Sequence, residues 1–290
     1  MEHRNQDDDS EALFACAEHG GALCTVTAID GSWSRRLGAQ LAVLPDGATR
    51  GSLADGCLER ALAEEALQGG AARVLRYGQG SPFVDIRLPC GSGVEVLIDP
   101  APNRAAIQAA TAALTARCPA SLNAGMTPHG PFIRHYLPPL RLMVLGSGPE
   151  VTALARLAAA QGIGCTLAGP RGEAEVGLSL GGQSLGGLSL GGLSLGQAPD
   201  LAVDAWTAIA VLFHDHEWER GILPWALASP AFHVGAQGGK GAREARSEWL
   251  EPAAMARLRS PIGLFPGART PSVLALSVLS EIVAAYEGLL

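Results

Sequence analysis

The sequence predicts an α/β protein, an N-terminal mixed α/β domain followed by a Rossmann-like parallel-sheet domain. Three observations carry this. Strand-like runs and a helical segment alternate over residues 22–99. From Arg141 the order strand, glycine turn, helix, strand opens a βαβ unit, which implies parallel pairing. The last twenty residues read as a helix with a start signal and an apolar face. A chain of 290 residues has room for two domains of roughly 100–200 residues each.

The first domain is expected over 11–100. A helix over 11–19 follows Ser10, a residue type suited to the N-cap. A strand over 22–29 ends at Asp30-Gly31, and a second over 39–44 meets the hairpin turn Asp46-Gly47. Residues 57–67 place Leu58, Ala61 and Leu62 at helical spacing before Gly69-Gly70 stops the helix. Strands follow over 72–77 and 94–99. A connector over 101–140 holds an Ala-rich helix and then a Pro- and Gly-punctuated stretch, 119–139.

The second domain is expected over 141–290, with strands at 142–145, 165–168, 208–213 and 232–234 and a helix at 151–160. In the final helix Thr270 suits the cap and Pro271 the first helical position, with Leu276, Leu279 and Val283 on one face. Between 177 and 196 lie four five-residue units: GLSLG, GQSLG, GLSLG, GLSLG. Of the 21 uncharged residues 176–196 only 8 are apolar, too few to cross a membrane. Four such units cannot enclose a core either, so a surface loop is expected.

Composition removes several classes. A net charge of −7 and a pI near 5.5 give no footprint for nucleic acid. No apolar run reaches the ~18 residues of a spanning helix. The polar start, with Asp7-Asp8-Asp9, resembles neither a signal nor a transit peptide, so a cytoplasmic protein is expected. Six cysteines (16, 24, 57, 90, 118, 165) lie tens of residues apart without a CxxC pair, which argues for reduced thiols over disulfides or structural zinc. The 37 Gly and the single Lys240 among 21 basic residues point to GC-rich coding, so one more Arg or Gly carries little weight.

Five segments can carry chemistry. Gly146-Ser-Gly148-Pro-Glu150-Val151 joins a strand to a helix start, where backbone N–H groups favour an anion. It lacks the third glycine of a dinucleotide fingerprint, and the next strand runs into Ala168-Gly169-Pro170 with no acidic residue for a ribose, so NAD(P) binding is not expected. Cys57, behind Asp55-Gly56, opens a helix whose positive end favours a thiolate, and Cys90 stands in the glycine-rich loop Pro89-Cys-Gly-Ser-Gly93. Asp30-Gly-Ser-Trp-Ser-Arg-Arg36 offers two guanidinium forks to a phosphate or carboxylate. His214-Asp215-His216 follows a strand at the carboxyl end, where open parallel sheets bind ligands; hydrogen bonding is favoured there over a metal. Gly235–Arg243 fails as a P-loop, being one residue short before Gly239-Lys240 and lacking the Ser or Thr.

In order and wording these motifs resemble the xanthine dehydrogenase accessory-factor (XdhC/CoxI) family. Gly31-Ser32, Arg35 and Gly38-Ala39 look like its first loop, Gly51-Ser52 with Gly56-Cys57-Leu58-Glu59 its second, and Cys90-Gly91 with Glu95-Val-Leu-Ile98 its third. Gly146-Ser-Gly148, His214-Asp215, Val234-Gly235, Pro261-Ile-Gly-Leu264 and Gly267-Ala268-Arg269-Thr270-Pro271 follow in the family's order. Ser34, Asp55 and Val151 stand where the family has Pro, Gly and Gly, which marks a divergent member.

The resemblance implies a maturation factor that binds molybdenum cofactor transiently, shelters it while a cysteine desulfurase supplies its sulfido ligand, and inserts it into an apo molybdenum hydroxylase of the xanthine dehydrogenase type. A homo-oligomer acting as a chaperone rather than a catalyst is expected. The implied site comprises Ser32, Arg35, Gly56, Cys57, Cys90 and Gly91 in the first half and Gly146, Gly148, His214 and Asp215 in the second, with Cys57 and Cys90 toward the metal. The rival readings are an NAD(P)-dependent oxidoreductase and a scaffold without a ligand site.

Overall fold

The computed structural model describes residues 10–54, 56–81, 91–170, 188–265 and 267–289, with backbone alone at 57 and 188–190. The chain forms two compact units, Arg4–Pro138 and Pro139–Leu290.

In the first unit, helix α1 (Glu11–His19) precedes strands β1 (Ala22–Asp30), β2 (Gln40–Val43) and β3 (Thr49–Gly51), helix α2 (Cys57–Leu67), and strands β4 (Arg73–Gly78) and β5 (Gly93–Asp99). The strands build an antiparallel sheet in the order β3-β2-β1-β5-β4. Side chains alternate across a strand, so β1 serves two cores at once. Ala22, Cys24 and Val26 meet Leu58, Leu62 and Ala66 of α2 on one face. Leu23 turns to the other, against Leu13 and Cys16 of α1.

That second core also takes Ile107, Ala110 and Leu114 of α3 (Arg104–Thr115), with Leu122 and Tyr136 from strands β6 (Ala120–Thr127) and β7 (Gly130–Tyr136). Residues 119–139, expected as a punctuated connector, therefore form an antiparallel hairpin. Pro131 is tolerated because, among the described residues, β7 pairs only with β6, leaving its other edge free of a ladder.

The second unit is a six-stranded parallel sheet flanked by helices. Strand β8 (Arg141–Gly146), helix α4 (Pro149–Ala160), strand β9 (Gly164–Pro170), strand β10 (Leu188–Leu193) and strand β11 (Thr207–Leu212) are followed by helix α5 (Glu219–Ala228) and strand β12 (His233–Ala236). Helices α6 (Lys240–Ser247) and α7 (Pro252–Arg257), the short strand β13 (Leu258–Arg259) and helix α8 (Pro271–Glu287) complete it. The order β10-β9-β8-β11-β12-β13 is the doubly wound arrangement, with its switch point between β8 and β11. β11 is buried at every residue, as a central parallel strand covered on both faces must be. Leu154 and Ala158 of α4 pack with Val278 and Ile282 of α8 on one face, while Ile222 and Leu223 of α5 cover the other.

Two expectations change here. Leu188–Leu193, from the repeat expected as a loop, adds β10 in parallel register beside β9 and buries Leu193. An edge strand needs backbone pairing and little apolar surface, so counting apolar residues understated it. In α8 the buried side is Ala275, Val278, Leu279 and Ile282, while Leu276 and Val283 are exposed. The helix is apolar nearly all round, so the pattern alone could not fix its facing. Among the described residues no helix is long and apolar enough to cross a membrane.

Candidate functional site

In the first unit the candidate residues stand on loops joined to one another. β1 runs into Gly31-Ser32, and the buried Ser92 hydroxyl donates to the Ser32 carbonyl, clasping the segment after Cys90 onto the first loop. The Arg35 guanidinium donates to Ser52 Oγ at 3.1 Å, and Ser52 Oγ donates to the Ala54 carbonyl at 3.0 Å. The second loop is in turn wrapped around Glu59, the third residue of α2. Its Oε1 accepts from Leu53 N at 2.9 Å and Ala54 N at 2.5 Å, and its Oε2 from Gly56 N at 2.8 Å. The last of these is the reciprocal half of a capping box.

Burial opposes the Glu59 charge, but the N–H groups of Ala54, Leu53 and Gly56 outweigh it and hold its pKa below the usual glutamate value. Gly56 itself is exposed at φ +102, with open space where a Cβ would stand, so its backbone is accessible to a ligand. Arg76 completes the frame, pairing with Asp30 at the end of β1 and with Glu95 at 3.2 Å. Ser32 is thus tied to Ser92, the neighbour of Gly91, while Arg35 and Gly56 are tied to the second loop and Glu59, and Cys57 is the first residue of α2. Cys90 lies outside the described residues.

In the second unit the glycine turn and the His214 loop meet at the switch point. Gly146 ends β8 against β11; a Cβ there would fall 2.3 Å from the Leu212 carbonyl oxygen and 3.0 Å from Val151 Cγ2. The third-glycine position is thus taken by packing. Gly148 caps α4 and Pro149 is its first residue. His214 Nε2 faces Glu150 Oε1 at 3.6 Å, and its Nδ1 lies 3.3 Å from Gln237 Nε2. Asp215 is engaged locally, its Oδ1 accepting from Glu217 N at 3.0 Å.

A family profile described as "XdhC Rossmann domain" matches residues 142–282, and one described as "XdhC and CoxI family" matches 16–78. The molybdenum cofactor insertion chaperone PaoD of Escherichia coli (strain K12) is 31% identical over 289 residues, covering 91% of this chain and 83% of its own. The chain belongs to the XdhC and CoxI family. A crystal structure from Bacillus halodurans described as a xanthine dehydrogenase superposes on this XdhC-family chain with a TM-score of 0.75 over 95% of both chains. At 19% identity that likeness speaks for the fold.

The remaining cysteines of this XdhC-family chain are structural or peripheral. Cys16, Cys24 and Cys165 are free and buried, and burial pushes each thiol up to about 12, which leaves them unreactive. Cys118 is free and exposed. Among the described residues no group of three or more His, Cys, Asp or Glu could hold a metal ion.

Sequence reasoning missed the residues that position these loops. Arg246 is buried on α6 and forks onto Glu219, with Nε to Oε2 at 2.7 Å and Nη2 to Oε1 at 2.6 Å. It also donates to Ser260 Oγ and the Gln237 carbonyl, so one guanidinium ties together the segments after β11, β12 and β13. His216 Nδ1 lies 2.9 Å from the same Glu219. The family's C-terminal motif is likewise an anchor: Gly263 N donates to Glu281 and Phe265 N to Ser277 Oγ, both on α8. No local pattern announces partners as far as 27 residues apart.

Proposed function

We propose that this chain is a maturation factor that takes molybdenum cofactor as cargo, assists its sulfuration by a cysteine desulfurase, and delivers it to an apo hydroxylase of the xanthine dehydrogenase type. The likeness to PaoD over 91% of the chain supports the cofactor as cargo. The observation that carries the site is the second loop held from both sides, Arg35 binding Ser52 and Glu59 binding the N–H groups of Leu53, Ala54 and Gly56 at the start of α2. It fixes a guanidinium fork on the loop that leads through the exposed Gly56 into Cys57. Arg35 would hold the cofactor's phosphate, and its fork suits that group better than an ammonium would. Cys57 and Cys90 would approach the dithiolene-bound metal as thiolates, a soft-ligand match. Ser32 and Gly91 shape the same loops, and a homo-oligomer in the cytoplasm is the working form.

The role is that of a chaperone, without nicotinamide chemistry. β9 ends at Ala168-Gly169-Pro170, none of which offers a carboxylate to a ribose, and Val151 fills the third-glycine position. Incubating the purified chain with molybdenum cofactor and measuring what is retained after gel filtration tests this. Retention by the wild type, weakened in Cys57→Ala, Cys90→Ala and Arg35→Ala, is expected. Absence of binding, or binding unaltered in all three variants, would overturn the assignment.

A further inference from the structure

The switch point of a doubly wound sheet ordinarily receives a pyrophosphate on the free N–H groups of the following helix. In this chain that arrangement is altered at two residues. Pro149, the first residue of α4, has no N–H to offer. The next residue is Glu150, whose carboxylate leans back over the turn, with Oε2 3.2 Å from where a Cβ on Gly148 would stand. A negative charge already occupies the neighbourhood that a phosphate would need.

Two buried acceptors here also lack partners. Glu150 Oε2 and Gln237 Oε1 are both shielded from solvent and accept no hydrogen bond. The Gln237 amide is oriented by its surroundings: Nε2 faces the Phe213 carbonyl at 3.4 Å and His214 Nδ1 at 3.3 Å, and a flipped amide would set two carbonyl oxygens against each other. With Nδ1 accepting, His214 carries its proton on Nε2, toward Glu150. At 3.6 Å that contact exceeds hydrogen-bond length, so Glu150 keeps capacity on both oxygens. Buried acceptors without partners are costly, and a ligand rich in N–H donors relieves them.

We propose that this crevice recognises a 2-amino-4-oxopyrimidine edge and that Glu150 sets this preference over phosphate. Such an edge presents an exocyclic amino group and an adjacent ring N–H, the donor pair a carboxylate accepts in fork geometry. The neighbouring ring carbonyl takes the His214 N–H. Phosphate offers only acceptors and meets Glu150 as a like charge. The edge occurs in pterins and in guanine; choosing the pterin rests on the function proposed above.

Titration of the full-length chain with neopterin, followed by pterin fluorescence, tests this directly. Guanosine, lumazine (which replaces the 2-amino group with a carbonyl) and inorganic pyrophosphate serve as competitors. Neopterin is expected to bind, with lumazine at least about tenfold weaker and pyrophosphate without effect, because a site built around N–H donors rejects analogues that lack them. Glu150→Gln and Gln237→Leu should each weaken neopterin by about tenfold while the circular dichroism spectrum stays unchanged. Displacement by guanosine would show that the edge alone is read, and failure of guanosine to displace would assign the site to pterins.

Equal binding of lumazine, or neopterin affinity unaltered in both variants, refutes the proposal. Molybdenum cofactor retained through Cys57 while Glu150→Gln changes nothing would sink this inference and leave the proposed function standing. Neopterin bound through Glu150 by a chain that retains no cofactor would do the reverse.

Discussion

Replacing Arg246 with Leu should cost the second unit much of its stability. The guanidinium is 2% exposed and its partner Glu219 fully buried, so neither charge is hydrated. Arg246→Leu removes both forked bonds and, among the described residues, leaves the Glu219 carboxylate to His216. Breaking one side of a buried pair costs about 3–5 kcal/mol, most of it the penalty of the charge left behind. For a unit of this size each kcal/mol lowers the midpoint by roughly 2–4 °C, so a fall of about 6–20 °C is expected. Trp206, Trp218, Trp225 and Trp249 are four of the five tryptophans and lie in this unit, so intrinsic fluorescence during urea unfolding reads it selectively. The Arg246→Leu, Glu219→Leu double variant removes both charges together and should be more stable than either single variant, because an apolar pair needs no compensation. Single variants costing less than about 1 kcal/mol, or a double variant costing the sum of the two, would refute the reasoning.

Three further outcomes are expected. Glu59 has a folded-state pKa below its unfolded value of about 4.3, so it contributes stability above that pH, which is lost as the pH falls through the folded value. Stability of the first unit measured from pH 6 to pH 3 should therefore decline, and Glu59→Gln should flatten that decline while costing about 1 kcal/mol at pH 7. Under native conditions an aromatic disulfide reagent should label Cys118 promptly and leave Cys16, Cys24 and Cys165 untouched until the chain unfolds; peptide mapping reads this. On α8, Leu279→Ala should cost about 2–4 kcal/mol in urea unfolding and Leu276→Ser less than about 0.5 kcal/mol, an order that would reverse if Leu276 faced the core.

Patterns that are local in sequence were readable in advance. The strand, glycine turn and helix from Arg141 to Ala160 are contiguous and carry their own punctuation, and so do the Asp46-Gly47 turn and Pro271 at the head of α8. Structure decided by distant partners was not readable. The β6–β7 hairpin is held by Leu122 and Tyr136 against α1 and α3, which no window around Pro119–Pro139 contains. The facing of α8 follows from its packing on α4. At the candidate sites residue types were legible as loop residues: Arg35 stands between β1 and β2, Gly56 just before α2, and the Gly146 turn between β8 and α4. Their organisers stayed hidden: Glu59 reads as a helix-surface acid and Arg246 as one more solvated arginine, until the groups they bind are seen.

The edge strand β10 has a bearing on the history of this gene. Its six residues, Leu188–Leu193, are cut from a tandem array whose unit repeats every five residues. Removing the copy at 182–186, or inserting another beside it, leaves the letters opposite β9 unchanged. Removing the copy at 187–191 exchanges only one Leu for Gln. The sheet margin is therefore indifferent to how many copies precede it. Replication slippage, which alters such arrays readily, can lengthen or shorten the segment between β9 and β10 without rewriting the strand, so the array supplies variable length to the chain while conserving the pairing partner.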